Sequence, residues 1–477
     1  MPSELKQKAT KGFLWNSIEN FSNQGISFLF TIILARILVP SDYGIVAMMS
    51  IFFSIAQTIV NCGFSTALIR KKDRTDEDMN TCFYFNIIVS LICYFLLFLT
   101  SPYIVNFYNQ PILESLVKVA GIEVIINSFS LIQTTIFTIK IDFKTTAKIT
   151  LASNILAGAW AIGLAYKGYG VWALVWKEII SSIVRMFLLW FASSWRPRWV
   201  FSWDSFHYLF GFGSKLLASY LIGTIYENIY PLVIGKFYSS AQLGNYSRAL
   251  GWAQLPSSNV TSIIQRVTFP ILSEMQDDDE RLQINYRRLL RTSVFIIFPI
   301  MIGLAAIASP LIQLVLTPKW NGCIIYLQII CFALMWYPIH AINLNLLQVK
   351  GRSDLFLRLE IIKKIIGVAI MCVTIPLGIT AMCVGMIVSS IFALAVNTYY
   401  TGKLIRVSFI MQMKDVFPVF VNSLIMGIAI NLSITIFHGD FIKLLFGFII
   451  GVILYFLGAL IMTKHELQEV INVIKKK

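Results

Sequence analysis

The sequence predicts an all-α polytopic membrane protein with fourteen transmembrane helices, and three observations carry that reading. Of its 477 residues, 57% are hydrophobic and only 13% charged, with mean hydropathy +0.74; an ordinary soluble domain has about a quarter of its residues charged. Apolar stretches recur along the whole chain, each of about 20 residues or more, which is what a helix needs to cross the hydrocarbon. Basic residues then alternate between the connections in the way a multi-pass topology demands.

The spans fall near 12–37, 43–69, 81–105, 112–138, 149–166, 169–191, 208–235, 241–267, 292–316, 324–349, 356–376, 379–402, 416–438 and 441–463. The first follows Lys6, Lys8 and Lys11, but Asn16, Glu19, Asn20 and Asn23 make it too polar for the core of a cleavable signal, so it stays as a span. With the N-terminus cytoplasmic, 26 Lys and Arg fall on inner connections. Only five, Arg36, Lys167, Lys236, Lys319 and Lys443, fall on outer ones. Short basic loops are retained in the cytoplasm, so both termini are expected inside.

Several function classes drop out. The net charge of +15 suggests a nucleic-acid partner, but no soluble basic domain exists to carry one. The longest polar connection expected, Ser273–Arg291, is 19 residues, and no phosphate-binding loop of the G-x-x-x-x-G-K-[ST] type occurs. A membrane glycosyltransferase or polymerase would need external carboxylates or histidines, and the outer loops offer little beyond Asp42 and Asp440. The seven cysteines show no C-x-x-C spacing and read as inert, lipid-buried thiols. No cofactor and no metal is expected.

The chain repeats itself weakly. Leu34–Gly44 leads from span 1 to span 2, and Ile234–Gly244 leads from span 7 to span 8. In each, a glycine follows a cation by eight residues: Arg36 and Gly44, Lys236 and Gly244. Six spans separate the copies, an even number, so both insert in the same orientation, as in transporters built from paired bundles. The expected organisation is two six-helix bundles, 1–198 and 199–406. Helices 13 and 14 follow over 407–463, and an amphipathic cytoplasmic tail over 464–477.

Ionisable and amide residues within spans are costly there and point to a wet interior or a partner. In span 1, Asn16, Asn20, Asn23 and Ser27 form one stripe with Glu19 beside it. In span 4, Glu123, Asn127, Ser130 and Thr134 repeat that spacing. Glu114 with Lys118 and Lys177 with Glu178 read as local pairs. Lys215 opens span 7, and Glu227 sits near its outer half. In span 8, Arg248 and Arg266 are 18 residues apart, five turns, and share a face unless Pro256 kinks the helix. His340 reads as hydrogen-bonded packing and Glu360 as a counter-charge to Lys363 and Lys364. The cavity candidates are therefore Lys215, Arg248, Arg266, Glu19, Asn20, Asn23 and Asn127. Glu19, Glu123 and Glu227 are the candidates for coupling to an ion. Basic groups in a cavity suit a polyanionic ligand such as a pyrophosphate or an acidic sugar.

Four blocks carry a resemblance: Leu34–Gly44 with Asn61–Lys71; Ile234-Gly235-Lys236 with Leu243–Ala249; Phe269–Ser273; and Gln348–Asp354. In order and spacing they resemble the polysaccharide-transporter flippases of the multidrug/oligosaccharidyl-lipid/polysaccharide exporter superfamily. The resemblance implies two six-helix bundles about a central cationic cavity, with spans 13 and 14 offering a groove to a polyprenyl tail. It implies a bacterial inner-membrane flippase moving a polyprenyl-pyrophosphate-linked oligosaccharide by alternating access. Coupling to protons, sodium or the membrane potential is compatible with that reading, and no sequence feature decides which, or whether any. Its partners would be the lipid-linked oligosaccharide, the bilayer, and polysaccharide polymerase or assembly proteins. The rivals are a drug/cation antiporter of the same fold, which predicts an acidic, aromatic cavity, and a membrane glycosyltransferase or polymerase.

Overall fold

The computed structural model describes residues 23–475, and that backbone is helical almost throughout. The helices begin with α1 (Asn23–Ile37), α2 (Pro40–Asn61), α3 (Phe64–Arg70), α4 (Asp76–Tyr108), α5 (Ile112–Ala120), α6 (Ile122–Ile139) and α7 (Phe143–Tyr166). Then come α8 (Val171–Ala192), α9 (Trp203–Phe237), α10 (Ser240–Ser273), α11 (Asp279–Ala306), α12 (Ala308–Leu316) and α13 (Gly322–Leu334). The last six are α14 (Tyr337–Val349), α15 (Ser353–Thr374), α16 (Ile379–Ile405), α17 (Phe409–Ile436), α18 (Asp440–Met462) and α19 (Lys464–Lys475). Glu19, Asn20 and the start of span 1 lie outside the described residues.

Ten stretches among the described residues are long and apolar enough to cross a bilayer, and the chain is an all-α multi-pass membrane protein. Four expected spans are not among the ten, each for an identifiable reason. Only α1 of span 1 is described. Helix α8 carries Lys177, Glu178 and Arg185; α15 carries Arg358, Glu360, Lys363 and Lys364; and α10 is rich in serine, asparagine and glutamine.

Several helices begin earlier than their apolar runs because a polar cap starts them. Thr75 Oγ1 accepts the Asp78 N–H at 3.3 Å while Asp78 Oδ2 accepts the Thr75 N–H at 2.8 Å, a reciprocal box that starts α4 at Asp76 rather than at 81. Ser202 and Ser408 cap α9 and α17 through one bond each, accepting the Ser205 and Met411 N–H groups at 3.3 Å. Asp278 caps α11, accepting the Arg281 N–H at 3.0 Å. The 19-residue connection expected before span 9 therefore shrinks to Glu274–Asp278, and Arg281, Arg287, Arg288 and Arg291 lie on the first turns of α11.

Backbone packing divides the chain into two compact units, one ending at Gly244 and the other beginning at Asn245. In the first, α7 packs along α8, α2 along α9, and α4 along α6. The two glycines of the sequence repeat meet there. A Cβ on Gly44 would lie 1.7 Å from Ser240 O, and one on Gly244 would lie 1.8 Å from Pro40 O. Each glycine lets its helix start press against the backbone of the other repeat, an approach no side chain permits.

In the second unit, α17 lies between α11 and α18, and α13 packs along α16. Phe298 meets Trp336 and Phe420 edge to face, and the Tyr455 hydroxyl donates to Phe295 O at 2.7 Å. Asp415, only 6% exposed, holds Arg287 through two bonds of 2.7 Å. Helix α19 docks on α11, with Glu469 pairing to Arg288 at 3.0 Å and Glu466 to Arg291 at 3.7 Å. That docking gives the amphipathic tail expected over 464–477 protein contacts on α11.

Candidate functional site

Within the first unit the ends of α2 and α3, one face of α6, Arg185 of α8 and the middle of α9 enclose a polar cavity of about 790 Å³. Its shape starts from the break between α2 and α3. Cys62 and Gly63 both take left-handed backbone, with φ of 41° and 68°. A cavity wall follows from the turn, because Gln57 and Asn61 before it and Ser65 and Thr66 after it face the same space. Helix α9 can lie against the break because Gly213 faces Cys62 O, which a Cβ would approach to 2.4 Å.

The α6 wall is the stripe read from the sequence: Asn127, Ser130 and Thr134 line the cavity, with Thr138 extending it by one turn. From α9 come Ser219, Gly223 and Glu227 at i, i+4 and i+8, flanked by Tyr220 and Thr224. Polar contacts tie these helices together. Asn127 Nδ2 donates to Gln57 Oε1 at 3.3 Å and to Glu123 Oε1 at 3.4 Å, and Ser182 Oγ donates to the same Glu123 oxygen at 3.3 Å. Gln57 Nε2 reaches Asn61 Oδ1 at 3.4 Å, and the hydroxyls of Thr58 and Thr224 meet at 3.0 Å. Most of these bonds are long, so side chains can exchange them for bonds to a ligand. Ser130 Oγ is buried at the lining with no partner among the described residues, an acceptor and donor left for a ligand or water.

The remaining candidates lie as follows. Glu227 lines the cavity, and Glu123 stands one turn before Asn127, bonded as above. Lys215 and Arg266 are exposed on α9 and α10, and neither belongs to this lining. Arg248 is half-buried in the second unit, its guanidinium 5.5 Å from the centre of the Trp320 ring. Asn23 is in α1, away from the lining, and Glu19 and Asn20 are outside the described residues. The cation that does line the cavity is Arg185 of α8, which sequence reasoning did not single out. Among the described residues its wall carries one guanidinium, Arg185, one carboxylate, Glu227, and one aromatic ring, Tyr220.

Other in-span charges pair locally: Lys118 with Glu114 at 2.6 Å, Lys177 with Glu178 at 2.7 Å, and Lys363 with Glu360 at 2.5 Å. His340 is hydrogen-bonded packing: Asn397 Nδ2 lies 3.3 Å from its Nδ1, and its Nε2 lies 3.0 Å from Ser390 Oγ. A second cavity, about 510 Å³ and mostly apolar, lies in the second unit between α11, α13 and α17, with Gln328, Asn431 and Thr435 as its polar lining. Among the described residues no group of three His, Cys, Asp or Glu is placed to hold a metal.

The family described as "Polysaccharide biosynthesis protein" matches residues 33–325. The chain is 25% identical over 357 residues to the teichuronic acid biosynthesis protein TuaB of Bacillus subtilis, covering 74% of each chain. It is also 25% identical over 365 residues to the lipopolysaccharide biosynthesis protein WzxC of Escherichia coli, covering 75% of this chain and 73% of that one. Among solved structures it resembles the lipid II flippase MurJ in an inward closed conformation. The TM-score is 0.77 at 15% identity, over 95% of this chain and 100% of that one, a likeness of fold.

Proposed function

The chain belongs to the polysaccharide biosynthesis protein family, and from that premise we propose that it is a flippase for a polyprenyl-pyrophosphate-linked oligosaccharide. It carries the sugar from the inner to the outer leaflet of a bacterial inner membrane by alternating access. The observation that carries this reading is the 790 Å³ cavity, walled by hydroxyls and amides inside helices that are otherwise apolar. Sugars and pyrophosphate cannot cross hydrocarbon unaided, since each unpaired polar group costs several kcal/mol there. A polar cleft supplies those bonds while the polyprenyl tail stays in lipid. The names of the relatives, two of them concerned with cell-surface polymers and one a flippase, agree with it.

In this reading the chain has fourteen spans with both ends cytoplasmic, since 26 basic residues fall on one side and 5 on the other. Helix α2 then runs inward, and the cavity extends from Glu227 toward Ile69 and Thr138 at the cytoplasmic side. The contact of Gly44 with Ser240 and Gly244 with Pro40 closes the outer end. Arg185 meets the pyrophosphate, and Asn127 and its neighbours meet sugar. Opening outward requires a second conformation of different ligand affinity. Glu123 and Glu227 are the carboxylates through which protons or sodium would bias it.

The test is leaflet-resolved movement of an undecaprenyl-pyrophosphate-linked oligosaccharide in proteoliposomes, with Arg185→Ala and Asn127→Ala beside wild type. Movement above empty vesicles that is slowed in both variants supports the reading and its site. Movement unaffected by either variant keeps the flippase and discards the site. Export of small cations, with no movement of lipid-linked sugar, makes the protein an antiporter instead.

A further inference from the structure

The cavity wall also speaks to the charge of the sugar. Among the described residues, nine serines and threonines and three side-chain amides line it, against one guanidinium, Arg185, and one carboxylate, Glu227. Hydroxyls and amides both donate and accept, as sugar hydroxyls do, so each wall group can match either sense of a sugar's hydrogen bond. A uronate or other acidic substituent accepts only and brings a negative charge into the cavity. It needs a cation of its own, and Arg185, the guanidinium among the described lining residues, is matched to the pyrophosphate. Glu227 adds repulsion. Tyr220 is the one aromatic residue among the described lining residues, and recognition by them rests on hydrogen bonds rather than on stacking.

We propose that this cavity selects an uncharged oligosaccharide, with Arg185 taking the pyrophosphate and Glu227 excluding acidic sugars. The proposal rests on the flippase reading and deepens it. It is tested with two probes: undecaprenyl-pyrophosphate carrying a neutral trisaccharide, and the same molecule with the terminal hexose replaced by its uronic acid. Both are measured for leaflet transfer in proteoliposomes and for competition binding to the purified protein.

Wild type is expected to bind and move the neutral probe about tenfold better, the ratio that one modest like-charge contact produces. Glu227→Gln is expected to bring the binding ratio toward one. Binding reads this even if the substitution slows transfer of both probes. Equal handling of the two probes by wild type, or preference for the acidic one, overturns the proposal while leaving the flippase reading intact. A ratio unchanged in Glu227→Gln removes Glu227 from it. If neither probe binds or moves, the flippase reading falls and this one with it.

Discussion

Two broken helices of equal length treat their polar stripes in opposite ways. Ile112–Ile139, broken at Gly121 into α5 and α6, and Gly322–Val349, broken near Met335 into α13 and α14, are 28 residues each. On α6 the stripe of Asn127, Ser130 and Thr134 opens on a cavity, and Asn127 Oδ1 has no partner among the described residues. On α14 the stripe is closed. Asn343 Nδ2 donates to Gln412 Oε1 at 3.3 Å and to Ile339 O at 2.9 Å, and its Oδ1 accepts from Thr401 at 2.5 Å and from Gln412 at 3.5 Å. Asn345 donates to Thr268 Oγ1 at 3.0 Å. A polar stripe thus marks a place where something must supply hydrogen bonds. Whether that is a ligand or a neighbouring helix depends on what packs against it.

If the closed stripe and its surroundings hold the second unit together, breaking them should cost stability, and the largest loss should come from the ion pair beside them. Arg287→Met leaves Asp415 buried without its fork and is expected to cost about 3 kcal/mol, read as heat or denaturant unfolding in detergent. Asn343→Leu strands Thr401 and Gln412 together and should cost about 2 kcal/mol. A loss from Asn343→Leu no greater than from a lining substitution would erase the contrast between the two stripes.

The glycine contact sharpens the comparison within the first unit. Gly44→Ala and Gly244→Ala should each cost about 1 to 2 kcal/mol by forcing the helix starts apart. The double variant should cost less than the sum, since one separation accommodates both methyls. Full additivity would mean that the two contacts are independent. Gln133 on α6 is fully buried with neither amide atom partnered among the described residues, the reverse of Asn343. Gln133→Met should therefore raise stability by about 1 kcal/mol, and a fall would reveal a bound water that satisfies the amide.

Hydropathy and loop charge made most of the helix order legible, because crossing hydrocarbon constrains composition over about 20 residues at once. Helix starts were less legible: Thr75, Ser202 and Asp278 begin helices through local hydrogen bonds that an apolar run does not register. At the site, the α6 stripe was legible by its spacing, and Ser219, Gly223 and Glu227 on α9 carried the same signal at i, i+4 and i+8. Arg185 was visible as an in-span charge, but which cation reaches a cavity is a tertiary fact. Lys215 and Arg185 look alike in the sequence, and only the packing of α8 and α9 separates them.

The smallest expected effect on stability is also the most telling, because it makes one substitution in both stripes' surroundings. Thr134→Val and Thr401→Val each exchange a hydroxyl for a methyl of nearly equal volume. Thr134 Oγ1 bonds only its own helix, to Ser130 O at 2.9 Å, and faces the cavity. Its loss should change stability by no more than about 0.5 kcal/mol, while slowing transfer of a lipid-linked sugar by about threefold to tenfold, the worth of one hydrogen bond to ligand. Thr401 Oγ1 instead completes the saturated Asn343, and its loss should cost about 1 kcal/mol in unfolding with transfer unchanged. The two measurements on two variants form a crossed pattern. If both variants lose stability and neither loses transfer, the α6 hydroxyls serve packing as the α14 amides do, and the cavity wall gives up its claim on the sugar.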